Sequence, residues 1–323
     1  MKEERFLRTL KSIIKKPLSG RIGVGDDCAL IDVSSGEILI TVDSFVEEVH
    51  FPAWIEPEDL FLRAISAALS DINAMGGRGR SILVSLALPG NLASKLKLYG
   101  EAMVRVSERY NLEIVGGDTV SAPLRVVSII VTGELPSGKR PLLRSGARPG
   151  DFIYLSGEIG RSAAGLSLVK LGWKKKKGRW SRKGSRPLPI QLEALDHYLT
   201  PSIPYLLGWN LLGEGEANSA IDISDGLALD LQRLLYSSSS GADIQIRDIP
   251  IHLSASLLST EEILSGGEEF SLLWTSDKVL PFPTIGKVRR GRGLRFFSGK
   301  ETIKIHSAGF DHFGRKRQVL SED

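Results

Sequence analysis

The sequence predicts a mixed α/β (α+β) protein of two domains, and three observations carry that expectation. Its 323 residues are about twice the usual size of a single domain. Strand-like runs alternate with helical spacing along the first part of the chain. The stretch KRPLLRSGARPGD at 139–151 then crowds Pro, Gly and basic residues between two strand signals, as a domain junction would. The boundary is expected near 140, giving domains 1–140 and 141–323.

The elements follow in order. The N-terminus carries Phe6, Leu7, Leu10, Ile13 and Ile14 at helical spacing, ends at Pro17, and reads as a helix docked on its own protein rather than a signal peptide. Strands are expected at 37–42, 81–88 and 124–133, rich in Val, Ile and Leu and bounded by Gly, Pro or Asp. Helical spacing occupies 60–73 (Phe61, Ile65, Ala68, Leu69, Ile72) and 92–110. Beyond the junction come a strand at 152–156 and a helix at 162–171. The run WKKKKGRWSRKGSRP, with eight basic and no acidic residues, reads as an exposed solvated loop; a phosphate or nucleic-acid contact is the other reading. Residues 219–223 are strand-like and Leu227, Leu231, Leu234 and Leu235 keep helical spacing, so Ser224-Asp225-Gly226 is a strand-to-helix turn.

Composition narrows the function. With 42% hydrophobic residues and a mean hydropathy of −0.01, the chain is neither disordered nor a membrane-spanning bundle. No run approaches the ~18 apolar residues that a transmembrane helix needs. The net charge of +4 suits an anionic ligand but is too small to imply a nucleic-acid protein. Cys28, the one cysteine, excludes an intramolecular disulfide and a cysteine zinc cage, and points to a reducing, cytoplasmic setting.

The informative pattern is aspartate repeated at what read as glycine-rich turns and helix ends: Asp26, Asp27, Asp43, Asp71, Asp118, Asp222 and Asp225. Any one alone reads as a turn former or helix cap. Together, if the turns converge, they would repel one another unless cations were bound, and hard oxygen ligands select Mg²⁺ or Ca²⁺. Magnesium usually arrives with phosphates. The known nucleotide loops do not supply them: Gly133 to Lys139 fits GxxxxGK, but Arg140 follows where a P-loop needs a hydroxyl, and Pro136 removes a backbone donor. No GxGxxG follows a strand, and no HExxH or GxSxG occurs.

The motifs GVGDDCAL (23–30), VDSFVEEVHF (42–51), LSDINAMGG (69–77), VGGDTV (115–120), LLRSGARPGD (142–151), SGEIGRSAAGL (156–166), AIDISDGLALDL (220–231), SGGEEFSLL (265–273) and AGFDHF (308–313) closely resemble those of the thiamine-monophosphate kinases. These belong to the aminoimidazole ribonucleotide synthetase superfamily, which uses ATP without a P-loop. The resemblance runs in order over nearly the whole chain. It implies a two-domain fold with an N-terminal sheet-and-helix domain that pairs with its twofold mate, hence a homodimer. The implied activity is ATP-dependent phosphorylation of thiamine monophosphate to thiamine diphosphate, with several Mg²⁺ ions and no phosphoenzyme. Carried over by motif, the metal ligands are Asp27, Thr41, Asp43, Asp71, Asp118, Asp222 and Asp225, of which Asp43, Asp71, Asp118 and Asp222 are expected to carry catalysis. The ATP contacts are Gly117, Asp118, Arg144 and Ser224, and the substrate contacts His50, Glu268 and Phe310. Other ATP-using enzymes of the superfamily, making selenophosphate or aminoimidazole ribonucleotide, are the alternatives within its chemistry. A non-catalytic anion- or RNA-binding protein using Lys174 to Lys177 and Arg315 to Arg317 is the alternative outside it, and would not need the carboxylates.

Overall fold

The structure, a computed structural model, describes residues 20–22, 26–33, 36–305 and 309. The helix expected around 6–14, Arg315 to Arg317 and Phe310 lie outside them. The first half runs β1 (Gly20–Ile22), β2 (Ala29–Val33), β3 (Gly36–Val46), α1 (Pro57–Ala74), β4 (Arg78–Leu88), α2 (Leu96–Arg109), β5 (Glu113–Ser121) and β6 (Val126–Glu134). Its six strands form one sheet in the order β1-β2-β3-β6-β4-β5. Only β4 and β5 pair in parallel, across the crossover made by α2. In β6, Val127, Ile129 and Val131 are fully buried while the residues between them are half-buried, the period-two pattern of a sheet with one covered face.

Helix α1 opens with Pro57 and puts Glu58 and Asp59 at its positive end, both favourable there. Its apolar stripe Phe61, Ile65, Ala68, Leu69 and Ile72 is buried. Polar Arg63, Ser66, Ser70 and Asn73 are buried as well, because the second domain covers the helix's other side. Asn73 Oδ1 accepts the backbone N–H of Gly208 at 2.8 Å. A Cβ on Gly208 would lie 1.8 Å from the Asn73 carbonyl oxygen, so glycine is what lets the two segments meet.

The second half runs β7 (Phe152–Leu155), α3 (Arg161–Lys170), β8 (Lys174–Lys176), β9 (Arg179–Ser181), α4 (Pro189–Leu199), α5 (Leu207–Glu214), β10 (Ser219–Asp222), α6 (Leu227–Ser237), β11 (Gly241–Gln245), α7 (Thr260–Ser265), β12 (Leu272–Ser276), β13 (Thr284–Arg289), β14 (Gly293–Ser298) and β15 (Glu301–Ile303). Seven strands make a second sheet, β10-β12-β7-β13-β11-β14-β15. Among the described residues no helix is long and apolar enough to cross a membrane.

Three local expectations are corrected. Gly116-Gly117-Asp118 is not a turn but part of β5, and Asp43 lies inside β3; a Cβ on Gly117 would sit 2.1 Å from the Val84 carbonyl oxygen, so the glycine serves strand pairing. The helix expected from 92 begins as a 3₁₀ turn, Gly90–Lys95, and becomes α-helical at Leu96. The basic run is not a free loop: β8 and β9 form an antiparallel hairpin whose inner residues are docked. Trp173 and Trp180 are each 5% exposed and join the first domain's core. The Trp180 ring meets Trp54 edge-on at 5.5 Å, its Nε1 donates to Asp196 at 2.7 Å, and Lys175 pairs with Asp59 at 2.9 Å. Leu195, Tyr198, Leu199 and Phe270 enter that same core, so the first domain's interior is completed by residues from beyond 150.

Truncating this dock is expected to be costly. Trp180→Ala should lower unfolding free energy by about 3–5 kcal/mol, whereas Lys176→Ala on the outer face should change it by less than about 0.5 kcal/mol. Denaturant titration of the two variants reads the difference, and equal midpoints would remove the hairpin's structural role.

Candidate active site

Residues from both domains meet between the sheets. Asp27 lies in the bend before β2, Asp71 one turn from the end of α1, and Asp222 at the last position of β10. Carboxylate oxygens of these three lie within 4.8 Å of one another. Thr41, two residues before Asp43 on the inward face of β3, donates its hydroxyl to Asp71 Oδ2 at 2.6 Å. Arg144 grips Asp27 with two bonds, Nη2 to Oδ1 at 2.9 Å and Nε to Oδ2 at 3.2 Å, and its backbone N–H reaches Asp26 Oδ1 at 2.9 Å.

The negative charge concentrated here bears on the carboxyl groups themselves. Burial, and then Asp43, Asp222 and Asp27, push the Asp71 carboxyl well above its ordinary value. Burial followed by Asp27 and Asp230 does the same to Asp222. Asp43 is raised to about 6 by burial and by Asp225. The buried Cys28 thiol beside them is raised by burial and then by Asp71, Asp27, Asp43 and Asp222, so four aspartates act on one point. Asp222 Oδ2 is buried with no hydrogen-bond partner among the described residues. A bare buried carboxylate oxygen facing two other carboxylates, all hard donors, fits a divalent cation such as Mg²⁺.

The turn after β10 is organised by a residue that the motif reading did not single out. Asp230, fully buried on α6, accepts on Oδ2 the backbone N–H groups of Ser224 (3.1 Å), Asp225 (2.9 Å) and Gly226 (3.1 Å). Its other oxygen takes Arg233 at 2.8 Å, which also pairs with Asp225 at 2.5 Å. Burial and then Asp225 push Asp230 to about 7. An aspartate in the first turn of a helix is a capping signal, and that was the clue the sequence held. Glu269 is its counterpart for α3, accepting the N–H groups of Gly160 and Ser162 at 2.8 and 2.9 Å.

His50 and Glu268 form a second group. The His50 ring accepts the Val46 N–H on Nδ1 at 2.9 Å, which puts the proton of the neutral ring on Nε2 as a donor. Its loop is clamped by Arg125, whose guanidinium reaches Glu47 and the carbonyls of Pro52, Ala53 and Ile55. Glu268 has a left-handed backbone (φ 60°), donates its N–H to the Ser224 carbonyl at 2.7 Å, and pairs through Oε2 with the buried Arg63. A cavity of about 1080 Å³ beside Trp54 and Tyr99 includes none of the expected ligands in its walls.

Asp118 stands apart in the single chain. Lateral pairing puts Ser44, Ser128, Ser85 and Asp118 in one row, and Asp43, Ile129, Val84 and Gly117 in the next. Side chains alternate faces along a strand, so Asp118 projects from the outward face, three strand spacings or about 14 Å across from Asp43. The rows on either side, Val42–Ile130–Leu83 and Val46–Val126–Ala87–Val120, are apolar.

Two family models match the chain, the AIR synthase related protein N-terminal domain over residues 25–135 and its C-terminal domain over 148–278. The thiamine-monophosphate kinase of Buchnera aphidicola subsp. Schizaphis graminum is 33% identical over 330 residues, covering 96% of this chain and 98% of that protein. That of Escherichia coli K12 is 32% identical over 316 residues, 92% and 93%. The chain belongs to the thiamine-monophosphate kinase family. Two solved structures of similar proteins agree with the family's fold: AaThiL complexed with AMPPCP and TMP, at TM-score 0.80, 29% identity and 96% coverage of both chains, and the Aquifex aeolicus thiamine monophosphate kinase, at TM-score 0.75, 28% identity and coverage of 93% and 97%.

The raised aspartates give a pH signature for the metal-free family member. A carboxyl whose folded-state value is raised contributes stability that is full below its ordinary value and is lost as pH rises through the raised one, here about 6 for Asp43 and about 7 for Asp230. Glu47, Asp243 and Glu262, held low by Arg125, Arg295 and Ser259, act only on the acid side. The melting temperature without divalent cations is therefore expected to fall between about pH 5 and pH 8, with Mg²⁺ raising it more at the upper end than the lower. Calorimetry in chelator and in Mg²⁺ tests this; a Mg²⁺ effect independent of pH would contradict it.

Proposed function

We propose that the chain transfers the terminal phosphoryl group of ATP directly to the phosphate of thiamine monophosphate, giving thiamine diphosphate and ADP. The observation that carries this is the meeting of Asp27, Asp71 and Asp222, drawn from both domains, within 4.8 Å. Family membership and the AMPPCP and TMP bound by the similar AaThiL support the choice of substrates. On this reading the division near residue 140 separates two lobes that share one reaction centre, and the enzyme works in the cytoplasm.

The central difficulty is electrostatic. At an effective dielectric near 20, two unit charges about 5 Å apart repel by about 3 kcal/mol, and two phosphate-bearing reactants present several such pairs. Asp27, Asp43, Asp71 and Asp222 are the chain's means of holding several Mg²⁺ ions there, with Thr41 and Asp225 beside them. When bound, magnesium supplies the positive charge that screens the two anions and orients them for in-line displacement. Arg144 offsets charge on ATP, its present partner being Asp27. The Ser224 turn, fixed by Asp230, and Gly117 supply nucleotide contacts. His50 offers its Nε2–H to the acceptor phosphate, while Glu268 and Phe310 receive the organic cation. The attacking oxygen is already anionic, so no side chain has to remove a proton from it.

The outward face of the first sheet completes the proposal. Among the described residues it is uncovered, with Val42 60% and Val120 48% exposed, and β5 is the last strand of the sheet; a second copy of the chain is the occupant in a homodimer. Asp118 lies on that face, and its role as metal and ATP ligand is part of this proposal.

Wild-type protein should convert thiamine monophosphate to the diphosphate only with Mg²⁺ and leave free thiamine untouched. Asp71→Asn should cut turnover by about 100-fold or more, read by product chromatography; near-normal rates in that variant would end the metal-based mechanism. Leu83→Arg should shift sedimentation from dimer to monomer, and an unchanged sedimentation coefficient would discard this face as the interface.

A further inference from the structure

We propose that Arg63 is a positioning residue that sets His50 and Glu268 at a fixed separation and so determines affinity for the phosphate-bearing acceptor; this rests on the kinase reading above. Arg63 sits on α1 with 1% exposure, the one guanidinium among that helix's buried side chains. Each of its guanidinium nitrogens is used. Nε donates to the His50 carbonyl at 3.1 Å, Nη1 to the Tyr198 carbonyl and Nη2 to Glu268 Oε2, while the Tyr198 ring lies 4.8 Å beneath the guanidinium carbon.

Those three acceptors come from three separate pieces of chain: the loop after β3, the end of α4, and the segment before β12. The first and third carry the two expected substrate contacts. Arg125 clamps the His50 loop on one side, and the Arg63 guanidinium joins that loop to Glu268. His50 lies in a turn following a residue with positive φ, Glu48, and Glu268 holds a left-handed conformation of its own, which costs a non-glycine residue free energy and persists only where neighbours enforce it. The planar fork of Arg63 supplies that enforcement, since its donors leave in fixed directions. Glu268 is also tied by its N–H to the carbonyl of Ser224, one residue from Asp225. The guanidinium therefore registers the acceptor group against the turn beside the aspartate cluster. Among the described residues Glu268 Oε1 has no hydrogen-bond partner, and the side chain is 31% exposed, so one oxygen is anchored while the other faces the opening.

Lysine preserves the charge that balances Glu268 but cannot bond three divergent acceptors, so Arg63→Lys is the test variant least disturbing to folding, with Arg63→Gln as its neutral companion. In steady-state kinetics, Arg63→Lys should raise KM for thiamine monophosphate by about tenfold. It should leave KM for ATP within about twofold and the Mg²⁺ dependence unchanged. Arg63→Gln should raise the acceptor KM further. Calorimetric binding of thiamine monophosphate to each variant, with thermal melts alongside, should follow the same order. Parallel increases in both KM values, or a lowered melting temperature with the acceptor KM unchanged, would overturn the positioning role. Failure of the wild-type protein to phosphorylate thiamine monophosphate would instead refute the kinase reading itself.

Discussion

Buried negative charge governs this molecule. Asp27, Asp43, Asp71, Asp222, Asp225 and Asp230 gather at the domain junction, and the guanidinium groups of Arg144 and Arg233 are the cations paired with them. Taking carboxylates out of water is expensive unless each finds a cation or a set of donors. The fold answers differently at each position. Asp230 is surrounded by three backbone N–H groups and Arg233, and becomes structural. Asp27 receives Arg144. Among the described residues Asp71 has one hydroxyl, from Thr41, and Asp222 keeps one oxygen without a hydrogen-bond partner. Asp71 and Asp222, the poorly compensated members, face each other and Asp27, so much of the remaining repulsion lies in the space where metal and phosphate would enter.

That arrangement requires the two halves of the chain to stay in register. Asp71 rides on α1 of the first domain and Asp222 on β10 of the second, so any sliding between them would dissolve the cluster. Helix α1 is the common element: sheet residues cover one side of it, and α4, α5 and β10 the other. Small residues make the close contacts, Gly208 against the Asn73 carbonyl being the tightest of them. The β8–β9 hairpin adds a strap that starts in the second domain and ends against Trp54 and Asp59 in the first.

Much of this was legible in the sequence, for definite reasons. Runs rich in Val, Ile and Leu and bounded by Gly, Pro or Asp announced β4 and β6, and helical spacing announced α1 and α6, because each of these elements buries an apolar face. The aspartates were legible too, since seven of them recur at what read as glycine-rich turns and helix ends. What the sequence concealed were roles created by tertiary contact. Asp43 and Asp118 were read as turn residues because glycine or serine flanks them, yet both lie within strands, and their strand positions put them on opposite faces of one sheet. Lys174 to Lys177 looked solvated because charge density outweighs two tryptophans in a composition reading; in space the tryptophans decide where the hairpin goes. Arg63 gave no signal at all. One arginine in an amphipathic pattern resembles a boundary residue, and only the arrival of Tyr198 and Glu268, 135 and 205 positions away, makes it central.

The edge-to-face meeting of Trp54 and Trp180, 5.5 Å apart at 82°, has a spectroscopic meaning. Five tryptophans are present in the chain, and these two indoles are close enough for their excited states to couple while belonging to different domains. Opening the junction would pull them apart and wet them, altering emission colour and near-ultraviolet circular dichroism without any attached dye. The molecule thus contains its own optical gauge of whether the strap is docked, located away from the reaction centre.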